Sequence, residues 1–550
     1  MTDVSYAKAL LLRLVSLVQR DGREATLHGV LLLNGESGFV LGNLAKAACY
    51  LYCEATDGEK EERRDMLFSV LEMAAEEPCY TWGKLLLLSV LTALKERGEL
   101  SLLGKALLEK LRLATDVSDF YDKQTRMLKG RAANYLHVAA ECLAMREKLG
   151  WDTREDALAA TVRLKETACT ADGLGFLDDQ PPEGRFDSYT FMVTTHLPDQ
   201  CKEAKIPLPE SALGNLRLAA EAILHMANRR GDGFVYGRSL SVYGDTAPLG
   251  VLRCALKHGL LSPEEKRLAA DYVYAILDKL ERVWYDKDLG VYNIWFGGRG
   301  TDGYRERHRL LQLNVEIAQI VLETYAFWVA EGLPPREDTA LPAPEEWEAH
   351  TVIFSEKEEQ KAAAVILRRR DLLAMLPFVG AGGLSLFPAY LPFPATGGIL
   401  EAAPQSNAPY LVPEYEKDGA RLRPLKHFTN IRVQNTDGRA EILAEGFLVK
   451  ALPHPALPEK TEYRFSIRYL LEGDEIQAEF TTDLPYDRAR AVWGTPHPDV
   501  TFTARGFDEF RPLPDAPKAE IQAPHGAYIA YGEYLSHSPA VLSWRLRLPE

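Results

Sequence analysis

The period of the apolar residues changes once along this chain of 550 residues. Up to about residue 332 the apolar side chains recur with the spacing of amphipathic helices, and about ten helices are expected there. Trp82–Arg97 (WGKLLLLSVLTALKER) is one of them. Another is Pro263–Val283, where Ser262, a proline and two glutamates form a typical helix start. The single change of period indicates two regions that are built differently.

Beyond residue 350 apolar and polar residues alternate, which is typical of strands with one buried face. The segment EYRFSIRYLLEGDEIQAEF predicts a hairpin that turns at Gly473 and Asp474, and a second hairpin is predicted to turn around Asn435–Gly438. Between the two regions, residues 333–350 are rich in proline and acid and predict a linker. We therefore expect a helical domain over residues 1–332, followed by an antiparallel β-sandwich over residues 351–550.

The composition narrows the possible partners and the compartment. A formal net charge of −15 argues against a nucleic-acid or anionic-membrane partner, since both need a basic face. No apolar run approaches the roughly 20 residues of a membrane-spanning helix, and the first residues lack the pattern of a signal peptide. The seven cysteines are scattered without a CxxC pair, as expected for reduced thiols. We expect a cytoplasmic protein and make no prediction of its oligomeric state.

The segment from Arg185 to Asp245 is unusually dense in ionisable and aromatic residues and is the first candidate for chemistry. Arg238, beside a flexible glycine, is suited to bind a carboxylate with both guanidinium nitrogens. A cation also stabilises phenolate, so Tyr243 nearby is suited to act as an acid or base. A simple helix-start turn with Arg238 paired to Asp245 is the structural alternative. The other candidates in this segment are Asp187, Tyr189, His196 and Tyr236.

Two further segments carry polar or aromatic candidates. In residues 131–149, Asn134, His137 and Glu141 lie at i, i+3 and i+7, so they share one side of a helix that faces either a polar cavity or solvent. The segment WYDKDLGVYNIWFGGRGTDGYRERH either forms a sugar-binding wall with an anion site or seals the end of a helical bundle. Its candidates are Trp284, Tyr292, Trp295, Arg305 and His308. The dispersed histidines predict no metal site.

The order of the two regions, with Asn, His, Arg and Tyr as candidates in the first, resembles the (α/α)-toroid polysaccharide lyases, as in the heparinase II/III and alginate lyase families. GDGFVYGRSLSVYGD is more similar still to the GRSLxYR-like segment of an allied family of uncharacterised bacterial proteins, the DUF2264 type. FDSYTFMVTTHL and RAANYLHVAA are similar to two further segments of that family. The chain has SVYGD where that segment continues with Tyr-Arg, so one expected arginine is missing.

The resemblance implies β-elimination on a uronic-acid-containing oligo- or polysaccharide, with no cofactor. Asn134 and Arg238 would neutralise the substrate carboxylate. His196 and Tyr243 would transfer the protons, with Tyr189 in reserve. Two alternatives stay open: a toroid-type glycoside hydrolase that uses Asp187 and Asp245 as its carboxylates, and a non-catalytic carbohydrate-binding protein.

Overall fold

The structure is a computed structural model. It describes residues 3–34, 37–131, 135–168, 183–186, 188–301, 305–339, 341–380, 388–404, 406–436, 438–451, 459–512, 521–537 and 541–549. Within these ranges, the side chains of residues 37–38, 168, 188–193 and 388 are not described.

Twelve α-helices lie in the described part of the chain before residue 331. They are α1 (Ser5–Asp21), α2 (Ser37–Cys53), α3 (Lys60–Glu76), α4 (Thr81–Glu96), α5 (Gly104–Ala114), α6 (Tyr135–Leu149), α7 (Arg154–Ala168), α8 (Ser188–Ala204), α9 (Glu210–Met226), α10 (Val242–Lys257), α11 (Pro263–Lys279) and α12 (Leu310–Ala330). None of these helices, as far as they are described, is long and apolar enough to cross a membrane.

The even-numbered helices form a closed inner ring. Contacts run from α2 to α4, α6, α8, α10 and α12 in turn, and α12 contacts α2 again. The odd-numbered helices pack outside this ring: α1 against α12 and α2, α3 against α2, α7 between α6 and α8, and α9 between α8 and α10. Two concentric rings of six helices make an (α/α) toroid, so the predicted fold of the helical region is confirmed.

Burial follows from these positions. The outer helix α1 buries one stripe, which includes Leu10, Leu14 and Val18, and exposes the opposite side. The inner helix α12 is in contact with protein on most sides, and its sequence LLQLNVEIAQIVLETYAFWVA is apolar nearly all round. Two inner helices contain an internal proline, Pro198 in α8 and Pro248 in α10. Proline usually interrupts a helical pattern, which is why the sequence did not predict these two helices.

The long connections gather at one end of the toroid. Connections that lead into inner helices include the short hairpins β1–β2 (Thr26–Leu27, Val30–Leu31), β3–β4 (Tyr121–Asp122, Met127–Leu128) and β5–β6 (Tyr285–Asp286, Val291–Tyr292). Connections that leave inner helices are short, such as the one between α6 and α7. The N-terminal ends of the inner helices are therefore surrounded by loops, and we call this end of the ring the loop end.

The second region is antiparallel β-structure. Strands β7 (Glu348–Ser355), β8 (Ala362–Arg369) and β9 (Leu372–Phe378) form a three-stranded sheet that contacts β11. The remaining strands are β10 (Glu414–Lys417), β11 (Ala420–Thr436), β12 (Arg439–Lys450), β13 (Glu459–Glu472), β14 (Glu475–Thr482), β15 (Arg488–Thr495), β16 (Thr501–Arg505), β17 (Glu509–Pro512), β18 (Gln522–Ala523), β19 (Gly526–Ala527), β20 (Ala530–Ser536) and β21 (Leu542–Arg547).

Ten of these strands form one antiparallel sheet in the order β16-β21-β14-β13-β12-β11-β10-β15-β20-β17. Both predicted hairpins are confirmed: β13 pairs with β14 up to Glu472 and Glu475, and β11 pairs with β12 up to Thr436 and Arg439. The expected helical region followed by an antiparallel β-region is therefore what the chain forms.

The β-region contacts the loop end of the toroid. Arg230 donates from Nη2 to the carbonyl of Gly397 at 2.7 Å, and the amide of Gly300 donates to Ala523 at 2.9 Å. The segment between α12 and β7 runs back along α11, where the Arg336 guanidinium pairs with Asp271. Loops that precede inner helices and loops of the β-region therefore meet at the same place.

Candidate functional site

The loop that precedes α10 is fixed by close backbone contacts. Phe234 donates its amide to the carbonyl of Gly244 at 3.0 Å, so the loop crosses the start of α10 directly. A Cβ atom on Gly233 would lie 2.2 Å from the Gly244 oxygen, and only glycine allows this approach. Gly237 has a positive φ of 97°, and a Cβ there would lie 2.6 Å from the carbonyl oxygen of Phe186. These close approaches restrict the backbone conformation of this part of the loop.

A buried group of charges anchors the loop to α11. Lys279 donates from Nζ to Asp232 at 2.7 Å and to Asp245 at 2.9 Å. Asp245 also accepts hydrogen bonds from the Trp284 indole at 2.7 Å and from the Gly233 amide at 2.8 Å. Burial opposes charge on Lys279, but the two carboxylates outweigh it and raise its pKa. Asp245 is therefore held as an acceptor inside the fold.

Tyr243 lies in the first turn of α10 beside a buried arginine. Its side chain is 9% exposed, and the Arg305 guanidinium carbon lies 3.8 Å from the centre of its ring. Arg305 also donates to the Ser239 hydroxyl at 3.0 Å. Ser239 and Ser241 have positive φ values of 67° and 62°, which are unfavourable for residues other than glycine. Strained backbone of this kind is found at functional sites, where surrounding contacts hold it.

The neighbouring candidates of the same loop have different positions. Arg238 is half-buried, and its amide donates to the carbonyl of Phe186 at 3.1 Å. Tyr236 is fully buried, and its hydroxyl donates to the carbonyl of Gly184 at 3.3 Å. Arg238 is therefore placed near the first turn of α10, whereas Tyr236 has a packing role that connects the loop with residues 183–186.

His137, Glu141 and His196 meet in the lumen of the inner ring. The Nδ1 atom of His196 lies 2.5 Å from Oε1 of Glu141, and the rings of the two histidines are 4.9 Å apart. Burial opposes charge on Glu141, but His196 outweighs it and lowers the pKa of Glu141 to about 2. Glu141 in turn raises the pKa of His196 against the effect of burial. Of the two alternatives left open for this helix side, a polar cavity or solvent, the burial of His137 and the contact of Glu141 with His196 fit the first.

His196 lies deeper in the ring than Tyr243. Its neighbour Thr195 lies at the level of Gly250 in α10. A Cβ atom built on Gly250 would be 4.0 Å from the Cγ2 atom of Thr195. Gly250 is seven residues beyond Tyr243, and a helix rises 1.5 Å per residue, so this level is about 10 Å further into the lumen. The two residues that sequence reasoning paired for proton transfer are therefore at different depths.

The aromatic loop before α12 divides into buried and lining residues. Trp284 and Tyr292 have no exposed surface, because Trp284 contacts Asp245 and Tyr292 bonds to the Tyr6 hydroxyl at 3.1 Å. Their ring faces pack inside the protein, which agrees with the alternative that this cluster seals the bundle. A separate cavity of about 450 Å³ lies between this loop and the β-region. Its lining includes Trp295, Arg299, Arg307, His308 and Gln522.

Some sequence candidates lie outside the described residues, namely Asn134 and Asp187. Tyr189 belongs to α8, but its side chain is not described. Sequence reasoning missed Lys279 and Glu316. Each is a single charge on an otherwise apolar helix face, which was the signal that could have identified them. Burial raises the pKa of Glu316 on α12, while Arg305 acts in the opposite direction.

Comparison with known proteins gives structural likeness only. No known protein family and no curated protein matches the chain. A point mutant of the chondroitin AC lyase from Streptomyces coelicolor A3 matches with a TM-score of 0.47 and 10% identity, over 99% of this chain and 79% of that chain. A possible GH105 family member from Salmonella enterica matches with a TM-score of 0.36 and 12% identity, over 58% of this chain and 94% of that chain.

A possible GH105 family member from Klebsiella pneumoniae matches with a TM-score of 0.35 and 14% identity, again over 58% of this chain and 94% of that chain. All three TM-scores lie below 0.5. The two concentric rings of helix contacts in this chain themselves define the (α/α) toroid.

Proposed function

We propose that this chain is a lyase that cleaves a uronic-acid-containing oligo- or polysaccharide by β-elimination, with Tyr243 as the proton-transfer group. The observation that carries the proposal is the Arg305 guanidinium, 3.8 Å from the centre of the Tyr243 ring at the start of α10. A cation this close stabilises negative charge on the phenol oxygen, and a phenolate is a base strong enough to remove an activated proton.

The reaction assigns a task to each group. The phenolate of Tyr243 takes the C5 proton of the uronate, the C4–O bond breaks, and a C4–C5 double bond forms. The departing glycosidic oxygen then receives the proton from Tyr243. Arg238 would neutralise the substrate carboxylate and so acidify the C5 proton. Asn134 is predicted from the sequence to assist it. None of these steps needs a cofactor.

The depth of His196 favours Tyr243 as both base and acid. His196 is engaged with Glu141 at 2.5 Å and lies about 10 Å further into the lumen by the helix rise. Proton transfer requires heavy atoms within about 3 Å of the reacting group, directly or through one water. A single sugar ring at the level of Tyr243 would therefore be out of reach of His196.

The buried pairing of Asp245 counts against the hydrolase alternative. A glycoside hydrolase needs one carboxylic acid that donates a proton and a second carboxylate across the scissile bond. Asp245 is buried and accepts hydrogen bonds from the ammonium of Lys279, the indole of Trp284 and the amide of Gly233, so its two oxygens are already engaged inside the fold.

The test is product analysis combined with a single-atom change. On a panel of uronic-acid glycans, the chain should release unsaturated products that absorb ultraviolet light, and Tyr243→Phe should lower kcat at least about 100-fold at an unchanged Tm. The matched control is Tyr274→Phe on α11. This change removes a hydroxyl that donates to the carbonyl of Leu333 at 2.9 Å. The control should keep its turnover and lose about 1 kcal/mol of stability.

Three outcomes would contradict the proposal. Reducing ends without ultraviolet absorbance would indicate hydrolysis, and binding without any product would indicate a carbohydrate-binding protein. Full activity of Tyr243→Phe would remove Tyr243 from the reaction.

A further inference from the structure

The lumen between α4, α6 and α8 contains a cavity of about 390 Å³. Its lining includes Thr92, Glu141, His196, Asp199 and Gln200. Although α8 belongs to the inner ring, 43% of the His196 side chain is accessible, because it faces this space. The cavity lies deeper than the level of Tyr243 and is separate from the reaction proposed above.

Glu141 and His196 line this cavity, and together with the buried His137 they bring metal-ligating atoms close to one another. His137 and Glu141 are one helical turn apart on α6, and His196 faces them from α8. One ligand atom from each residue lies within 4.8 Å of the other two. Nitrogen ligands bind zinc at about 2.0–2.1 Å, which puts neighbouring ligand atoms of a tetrahedral site about 3.3 Å apart. Small side-chain rotations would bring the three atoms to that spacing.

Uncharged side chains that carry oxygen atoms, Thr92 and Gln200, also line the cavity. Thr92 is 7% exposed, and its hydroxyl has no hydrogen-bond partner among the residues that the structure describes. Gln200, also 7% exposed, has its amide beside the Glu141 carboxylate. Buried hydroxyls are normally paired, so an unpaired Thr92 at a polar cavity indicates a bound species that completes its hydrogen bonds. The ring of Trp82, 5.2 Å from the His137 ring, fixes the orientation of that imidazole.

The charge of the lining favours a cation. Four carboxylates, those of Glu96, Glu141, Asp199 and Glu203, line the cavity, and two lysines balance part of this charge, since Lys148 pairs with Glu203 and Lys257 pairs with Asp199 at 2.5 Å. Two imidazoles and one carboxylate are a ligand set typical of zinc and other divalent transition metals. We propose that His137, Glu141 and His196 bind one divalent transition-metal ion that joins α6 to α8.

The experiment uses the whole chain with Co²⁺ or Zn²⁺ alone. After dialysis, we expect one ion per chain and a rise in Tm on addition of the metal. The variants His137→Gln, Glu141→Gln and His196→Gln should each weaken binding at least about 10-fold. His427→Gln is the matched control, because this half-buried histidine of β11 lies outside the cluster and should leave binding unchanged.

The described part of the chain contains a second possible metal-binding cluster, and the test can distinguish the two clusters. Asp199, Cys254 and His258 also bring ligand atoms within 4.8 Å of one another. Loss of binding in Cys254→Ser, with binding kept in His137→Gln, would place the ion there and overturn the proposal.

The Co²⁺ spectrum of the unaltered protein gives the same answer without any variant. Ligand-field bands without a thiolate charge-transfer band are expected, and a thiolate band would overturn the proposal. Sub-stoichiometric binding, or binding that is unaffected by the three variants, would also overturn it. The failure of any of these tests leaves the lyase proposal untouched, since that proposal rests on Tyr243 and on product analysis.

Discussion

At the scale of single residues, Lys279 pairs with two buried carboxylates. It is 2% exposed and forms ion pairs with Asp232, in the loop before α10, and with Asp245, in the first turn of α10. For Asp232, burial opposes ionisation, but Lys279 and Arg230 outweigh it and lower the pKa. The loop that leads to Tyr243 is therefore fixed from inside the fold by one ammonium group.

Lys279→Met should destabilise the protein by about 3–5 kcal/mol, because it leaves two carboxylates buried with too little positive charge. The matched control is Lys287→Met on the surface, where the side chain is 72% exposed and pairs with Glu281. The control should change stability by less than about 0.5 kcal/mol. Urea unfolding measures both, and a loss below about 1 kcal/mol in Lys279→Met would contradict the anchoring role.

The same residues show which parts of the site a sequence can reveal. Tyr243, Arg238 and the shared side of His137 and Glu141 could be identified because reactive side chains stand out in a local pattern. Lys279 was missed, and Arg305 was expected only at an anion site and not beside Tyr243, because their partners lie more than 30 residues away in the sequence. The aromatic residues Trp284 and Tyr292 resembled a sugar-binding wall, yet burial decides that question, and burial depends on the whole fold.

At the scale of secondary structure, the periodicity of the sequence was enough for most elements. The alternating segments became β11–β14 at the predicted turns, because their pattern matches a sheet with one buried face. Helices α3, α8 and α10 were missed, and in α8 and α10 an internal proline, Pro198 and Pro248, interrupts the pattern. Tertiary contacts within the ring stabilise these two helices despite the missing backbone hydrogen bonds.

A pair of stacked histidines joins helix α9 to strand β7. The rings of His225 and His350 lie 3.7 Å apart at an interplanar angle of 15°. Burial lowers the pKa of both groups, and for His350 the nearby His225 adds to the effect. Glu221 and Glu348 act in the opposite direction, and Arg368 supports the lowering at His225.

Stability should therefore fall as the pH falls. Each imidazole has a lower pKa in the folded chain than in the unfolded chain, so the unfolded chain binds more protons below about pH 6.5. The urea midpoint of the unaltered protein should drop more between about pH 7.5 and pH 5 than that of His350→Phe. The exposed His537→Phe should behave like the unaltered protein. Equal drops in all three proteins would exclude the stacked pair as the cause.

At the scale of the whole molecule, the helical and β-regions meet at the loop end, and charged side chains take part in the contact. Arg230 is one of them: its guanidinium pairs with Asp232 at 2.9 Å and donates to Gly397 of the β-region at 2.7 Å. The same side chain therefore connects the β-region to the loop that leads to Tyr243.

Arg230→Met should cost about 1.5–3 kcal/mol, because it removes a charge-assisted hydrogen bond across the two regions. It should also lower kcat/KM, since the loop loses one of its supports. The adjacent Arg229→Met is the control, because its ion pair with Asp371 at 3.6 Å is largely exposed and weak. Calorimetry and turnover measure the two effects, and identical behaviour of the two variants would contradict the connection.

The closed ring has a consequence for the order in which the chain can assemble during synthesis. Helix α1 packs against α12, and Tyr6 reaches Tyr292, a residue that the ribosome adds much later. At about 5–20 residues per second, nearly 300 residues correspond to roughly 15–60 s of translation. During that time the apolar stripe of α1, with Leu10 and Leu14, lacks its final partner. The apolar stripe of α1 is therefore exposed to aggregation until the end of the helical region has been synthesised.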